Sequence, residues 1–340
     1  MSPRRAFLFF SCGLVLAAAP AFSQSPVLLQ DSTLNNLEHV PGYVTAPLGT
    51  LGGIVERGTG KVDMILVSGS GMGASAFEGF MKRNEKRYHM LAVTLPGFEG
   101  TPAPPMPPSG TSYGDQTWTH AAAEAIVRLI DERRLHRPIM VGHYVNGSQV
   151  AMQVTVAHPE LIRALVLLAG TPRYEPVKAS RFWPKDLTLE QKVRAVDQFS
   201  APRWFKTVTR ETWDSNNWKT TDMSVVDSAR GTRFRNMTND APLPVLIRYL
   251  CEFHASDLWP DLDRLQRPLL LVQPHFTAAL RADTTRSYLA GYLEEPWRGR
   301  LEHRPHIATA VVDDAGIMVM DDQPAIVDRR VAEFVKRSDR

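Results

Sequence analysis

The stretch Pro138-Ile-Met-Val-Gly-His-Tyr-Val-Asn-Gly-Ser148 decides the fold. Its apolar residues form a run of strand length, Gly142 and Gly147 mark a turn too tight for side chains, and the residues beyond the turn continue as a helix. A buried strand that empties through a sharp turn into a helix holds one side chain at the top of a sheet. Here that side chain is Tyr144.

Upstream, Val62-Asp-Met-Ile-Leu-Val67 is a continuous apolar strand that runs into Ser68-Gly-Ser-Gly-Met-Gly73, a glycine-rich turn through which the backbone can approach a ligand. A dinucleotide site would require the G-x-G-x-x-G spacing, which is not met, and no cofactor is expected. A second strand, His89 to Thr94, ends in Leu95-Pro-Gly-Phe-Glu-Gly100, and the proline-rich Thr101 to Gly110 is too stiff for a helix and is read as a surface loop. The helix expected from about Trp118 to Arg134 sets Ala122, Ile126, Leu129 and Ile130 on one face. Downstream of Tyr144 a helix runs to Ala157, closes at His158-Pro159 and gives way to the strand Ala164 to Leu168. Strands alternating with helices in this way imply a parallel sheet covered on both faces.

From Pro172 to Arg267 the strands stop. Trp183, Trp204, Trp213, Trp218 and Trp259 fall here, with helical periods over Leu189 to Phe199 and Leu243 to Phe253. This reads as a helical cap whose aromatics mostly pack, some of them facing a pocket. The sheet resumes with Pro268 to Val272 and a last strand from about Ala308 to Val312. A closing helix follows, with Pro324 in its first turn and Val327, Val331 and Phe334 inward.

With 340 residues, 44% hydrophobic and 22% charged, and a formal net charge of +3, the chain is large enough for one α/β core carrying an insertion. No Lys/Arg run stands out on a helix face, so no nucleic-acid partner is expected. Met1 to Gln24 has the form of an export signal: Arg4 and Arg5, an apolar run from Ala6 to Ala19, then Ala21-Phe22-Ser23 before a cleavage point. Arg4-Arg5-Ala6-Phe7-Leu8 is similar to a twin-arginine signal, while the apolar run fits the general secretory route at least as well. The run is short for an uncleaved anchor, so a periplasmic or secreted protein without a membrane span is expected. Cys251 would then be the only mature cysteine, and no internal disulfide could form. The expected organisation is a signal over 1–24, a core over 25–171, a helical cap over 172–267 and the rest of the core over 268–340. Nothing in the sequence fixes the oligomeric state.

Taken together, Ile65-Leu-Val-Ser-Gly-Ser-Gly71, Leu95-Pro-Gly-Phe98, Val141-Gly-His143, His158-Pro-Glu-Leu-Ile162 and Asp314-Ala-Gly316 with Asp322-Gln-Pro324 resemble the α/β-hydrolase family over nearly all of the mature length. The resemblance implies an α/β-hydrolase fold with an inserted cap. It also places a nucleophilic serine in G-x-S-x-G, where this chain has Tyr144, and a glycine where it has Asn146. The family's histidine falls at Ile317, and its acid two or three residues past Val272, where His275 stands. The oxyanion turn looks kept, with Ser70 or Gly71 supplying one N–H and Val145 the other.

An isoleucine cannot take a proton, so ester hydrolysis by the usual serine route is not expected. Ionising Tyr144 at pH 7 costs about 4 kcal/mol for a phenol of ordinary pKa. A geometric alternative is a Tyr144–His275 hydrogen bond across the gap left by Ile317, which would form an acid-base pair. Ser148 is read as capping its helix, and His143 as a buried structural imidazole. Asn146 either donates its amide into the pocket or reshapes the turn. His254, His303 and His306 show no metal-ligand spacing and are read as surface residues, so no metal is expected. The function expected is an exported enzyme on a small apolar ester, lactone or carbonyl compound that uses Tyr144 and His275 as acid-base groups. The rival reading, from another class, is a catalytically inactive ligand-binding protein.

Overall fold

The structure, a computed structural model, describes residues 44–178, 183–216, 218–302 and 304–338. The expected export signal, the first part of the lead-in and His303 lie outside the described residues. Seven strands form one sheet: β1 (Gly53–Arg57), β2 (Val62–Val67), β3 (Tyr88–Thr94), β4 (Ile139–His143), β5 (Ala164–Leu168), β6 (Leu269–Pro274) and β7 (Ile307–Val312). Their order is β1-β3-β2-β4-β5-β6-β7. β1 runs antiparallel to β3, and every other pairing is parallel. β4, β5 and β6 are buried at every position, as central strands covered on both faces must be, which is why they read as unbroken apolar runs. The edge strands β1 and β7 show solvent-facing positions instead.

The helices Thr117–Glu132, Tyr144–Ala157 and Pro324–Arg337 bury the faces their spacing predicts, including Val327, Val331 and Phe334 in the last. The fold is therefore the mostly parallel α/β sheet flanked by helices that the sequence implies. Among the described residues no helix is long and apolar enough to cross a membrane.

Two features position the site. The sheet is built outward in two directions from β2 and β4, which pair with Val67 opposite Gly142, so the loops leaving these strands lie side by side at the carboxyl edge, where open α/β sheets place ligands. The long connection from β5 to β6 lies across the same edge. Its described α-helices are Leu189–Ala195, Ala201–Thr207, Arg210–Asn216, Thr220–Met223, Ser228–Asp240, Leu243–His254 and Trp259–Asp263, the first two joined by a π-helical turn over Val196–Ser200.

On the far side of the sheet, His89 of β3 ties three strands together. Its ring nitrogens stand 2.8 Å from Asp63 of β2 and 2.8 Å from Glu56 of β1. Carboxylates only accept, so the ring that bonds to both carries both protons. Burial opposes that charge, and the two carboxylates outweigh it and raise the pKa.

The helix after β4 packs so closely on β2 that a methyl group at Gly147 would lie 2.4 Å from the Val67 carbonyl oxygen and 2.5 Å from that of Ser68. These are backbone atoms of the central sheet and cannot move aside cheaply. Gly147→Ala is therefore expected to lose about 3 kcal/mol, read in thermal unfolding as a fall of roughly 6–10 °C. An unchanged melting temperature would show that the helix can shift.

Candidate active site

Tyr144 is the first residue of its helix and has a φ of +49°, in the left-handed region that bulky residues avoid. Its side chain is 1% exposed. The phenol oxygen accepts a hydrogen bond from Trp218 Nε1 at 3.2 Å, and the phenol proton has no acceptor among the described residues. Trp218 meets the ring edge-on, and Tyr292 lies tilted against it with centroids 6.0 Å apart. Burial pushes the phenol well above its ordinary pKa; the Trp218 bond works against this and the charge of Asp222 adds to it. Tyr144 is thus a neutral donor through the physiological range, and ionising it to a nucleophile costs more than for a free phenol.

The glycine-rich turn lies alongside. Gly71, at φ +73°, could not carry a side chain, because a Cβ would meet the Thr238 backbone of the insertion at 2.8 Å. Ser70 Oγ donates to Asn146 Oδ1 at 2.6 Å, and Asn146 Nδ2 donates to the carbonyl oxygen of Tyr249 at 3.0 Å and to Gln149 Oε1 at 3.2 Å. Asn146 thus ties turn, helix and insertion together, with its amide nitrogen donating twice. Val145 is fully buried behind the elbow. Beyond the turn, Glu99, Gly100, Arg233, Asn236, Met237 and Asp240 line a cleft of about 550 Å³.

The structure does not bring Tyr144 and His275 together. β6 runs on to Pro274, and the His275 N–H donates to the Val312 carbonyl at the end of β7, at 2.8 Å. The imidazole then turns outward, its Nδ1 2.6 Å from Asp313, with its side chain 49% exposed. At the expected histidine position, Ile317, the backbone is tied to the insertion. Ile317 N–H donates to the Asp222 carbonyl at 2.8 Å and Met318 N–H to that of Met223 at 3.0 Å, while the Ile317 side chain is buried.

His143 is the buried imidazole expected. Its Nε2 donates to the Ile317 carbonyl at 3.0 Å, and Nδ1 is left without a partner. Burial, only partly offset by that bond, lowers its pKa to about 4. Two other expectations are corrected. Ser148 does not cap its helix: it sits inside it, fully buried, its Oγ unpartnered. His254 is not a surface residue. It closes the helix Leu243–His254 at 6% exposure, stacks on Tyr174 and shares a 2.9 Å hydrogen bond with the Tyr292 hydroxyl. Burial lowers its pKa to about 3.

The residues that sequence reasoning missed all come from the insertion or the segment after β6: Trp218, Asp222, Tyr288 and Tyr292 with His254. Their only advance signal is the tryptophan-rich composition of the insertion, which marks no single position. Among the described residues no group of three or more His, Cys, Asp or Glu side chains is placed to hold a metal ion.

Comparison with known proteins agrees with this fold. The pattern of the alpha/beta hydrolase family matches residues 64–330, and the chain belongs to that family. A pimeloyl-[acyl-carrier protein] methyl ester esterase of Aeromonas hydrophila is 28% identical over 130 residues, which cover 38% of this chain and 45% of that protein. The chain thus spans less than half the length of this curated relative. Among solved structures, a thermophilic esterase from Thermogutta terrifontis superposes with a TM-score of 0.57 at 16% identity, over 84% of this chain and 93% of that one. An esterase from Exiguobacterium antarcticum gives 0.56 at 15%, over 83% and 94%. At such identities the structural likeness shows the fold.

The two buried imidazoles set a pH dependence. Their folded pKa values lie below that of an unfolded histidine, so the unfolded chain binds more protons between about pH 6.5 and 4 and stability falls as pH falls through that window, by roughly 3 kcal/mol for His143 alone. His89, shifted the other way, contributes below its unfolded pKa and loses that contribution only as pH rises through its folded value. A melting temperature that drops steeply between pH 6.5 and 4.5, and less so in His254→Phe, is the expected result. A flat profile would place both rings in contact with water.

Proposed function

We propose that this chain is an exported enzyme of the α/β-hydrolase fold that acts on a small, largely apolar ester, lactone or other carbonyl compound under the helical cap. In this reading Tyr144 polarises the carbonyl oxygen instead of attacking the carbonyl carbon. The observation that carries it is the phenol at the elbow. Its oxygen is taken by Trp218, its proton is unclaimed and its environment keeps it protonated. Such a group donates a hydrogen bond to developing negative charge on oxygen, as an oxyanion-hole donor does. The Tyr288, Tyr292 and Trp218 rings around it suit an apolar compound. Export is supported by the composition of Met1 to Gln24. The reading assigns His275 no part in the chemistry.

A second reading is favoured by one observation: no imidazole or carboxylate is hydrogen-bonded to Tyr144 among the described residues to serve as a base. On that reading the protein binds the same class of compound without turning it over. Both are tested by assaying the purified mature protein on p-nitrophenyl esters and lactones of two to eight carbons, with Tyr144→Phe and His275→Ala beside it. The enzyme reading expects turnover above buffer that falls at least about tenfold in Tyr144→Phe and stays within twofold in His275→Ala. Binding without turnover would sink the enzyme reading and leave the second.

A further inference from the structure

Trp218 and Tyr144 meet with both backbones in the left-handed region, at φ +39° and +49°. Bulky residues stay there only where the surroundings impose it. For Trp218 the constraint is a relay. Its backbone N–H donates to the Tyr288 hydroxyl at 3.0 Å, and Tyr288 donates to Asp222 Oδ2 at 3.0 Å. Asp222 is held in turn by Arg286 Nε at 2.6 Å and the Lys219 N–H at 2.9 Å. The same short segment accepts hydrogen bonds from the backbone at Ile317 and Met318, and Ile317 is the position to which the family resemblance assigns an imidazole.

An imidazole there would accept a proton from the elbow residue. An indole N–H can only donate. It fills an acceptor position on the phenol oxygen, and the carboxylate of Asp222 is already engaged by Arg286, Tyr288 and Lys219. The group left to a ligand is the phenol proton.

We propose that Trp218 is the specificity-determining residue of the elbow: by occupying the oxygen of Tyr144 it makes the phenol a donor only, so the site selects carbonyl compounds over alcohols of the same shape. An alcohol can accept the phenol proton, but its own hydroxyl proton then stays buried without a partner, an outcome that costs about tenfold or more in affinity. The inference rests on the reading that Tyr144 faces the ligand.

The test compares acetophenone with 1-phenylethanol, each titrated calorimetrically into the mature protein. The wild type is expected to prefer the ketone by about tenfold. Trp218→Phe frees the phenol oxygen to accept the alcohol's proton, and the preference should shrink to within twofold. Tyr144→Phe should weaken both compounds, since each accepts the phenol proton. Should Trp218→Phe fail to fold, Arg286→Gln loosens the relay from its solvent-facing end and is expected to move the ratio the same way, with Arg286→Lys restoring it. The indole N–H resonance of Trp218 should move upfield in Tyr144→Phe and in Arg286→Gln. Binding of both compounds without preference, or a ratio unmoved by Trp218→Phe or, if that variant does not fold, by Arg286→Gln, overturns the inference alone. Failure of both compounds to bind the wild type overturns the reading of Tyr144 as the ligand-facing group, and the inference with it.

Discussion

The close approach of one helix to the ends of two strands sets everything else at the carboxyl edge. From Tyr144 to Thr155 every residue of that helix is buried, and it lies so near the sheet that Gly142 and Gly147 have no space for a Cβ. The chain can enter such a helix only through an abrupt turn, which drives Tyr144 to positive φ at a cost on the order of 1–2 kcal/mol. Burial of the helix offsets this, since each large apolar side chain withdrawn from water contributes about 1.5–3 kcal/mol. The strained turn then fixes where the phenol stands relative to the glycine-rich loop, because β2 and β4 are in register beside it.

The same physics explains which parts were legible in the sequence. β4, β5 and β6 must be apolar on both faces, so they stand out as runs, and a glycine demanded by backbone contact stands out by its spacing. The position of Tyr144 followed from those two signals. The partners of Tyr144 did not. Strand β6 extends past Val272 because Gln273 and Pro274 still pair with β7, and that extension sends His275 toward Asp313 and solvent. His254 lies on a helix whose period was plain, yet its burial depends on Tyr292, 38 residues away, and on ring contacts from Trp183 and Trp204 of the insertion. A helical period marks which face of a helix turns inward, but not which residue of a distant segment meets it there.

Electrostatically, the rings around the elbow stay neutral near physiological pH. The phenols are pushed up by burial and the imidazoles down, so neither kind changes state near neutral pH. Charge is kept where it can be paired, as in Asp222 with Arg286 or Arg173 with Glu175 and Asp257. Lys192, buried against that second group, is lowered to about 8 by burial while Asp257 pulls it back up. Neutral walls strengthen any single hydrogen bond made among them, since little dielectric response is present to weaken it.

The connection between β5 and β6 also shapes how this chain must fold. The two strands are adjacent in the sheet, yet about a hundred residues separate them, and pairing them closes a loop of that length. Closure entropy rises only logarithmically, by about 0.6 kcal/mol for each doubling of the loop, so equilibrium tolerates an insertion of almost any content at this point. Kinetics is less forgiving. β2 to β5 can assemble through connections shorter than the one that follows β5, the longest of them from Thr94 to Ile139, whereas β6 and β7 must find their places after a long diffusive search, leaving the β5 edge unpaired in the meantime. An apolar strand edge held open during folding invites wrong partners, and the roof over the elbow completes its contacts only once that edge is closed.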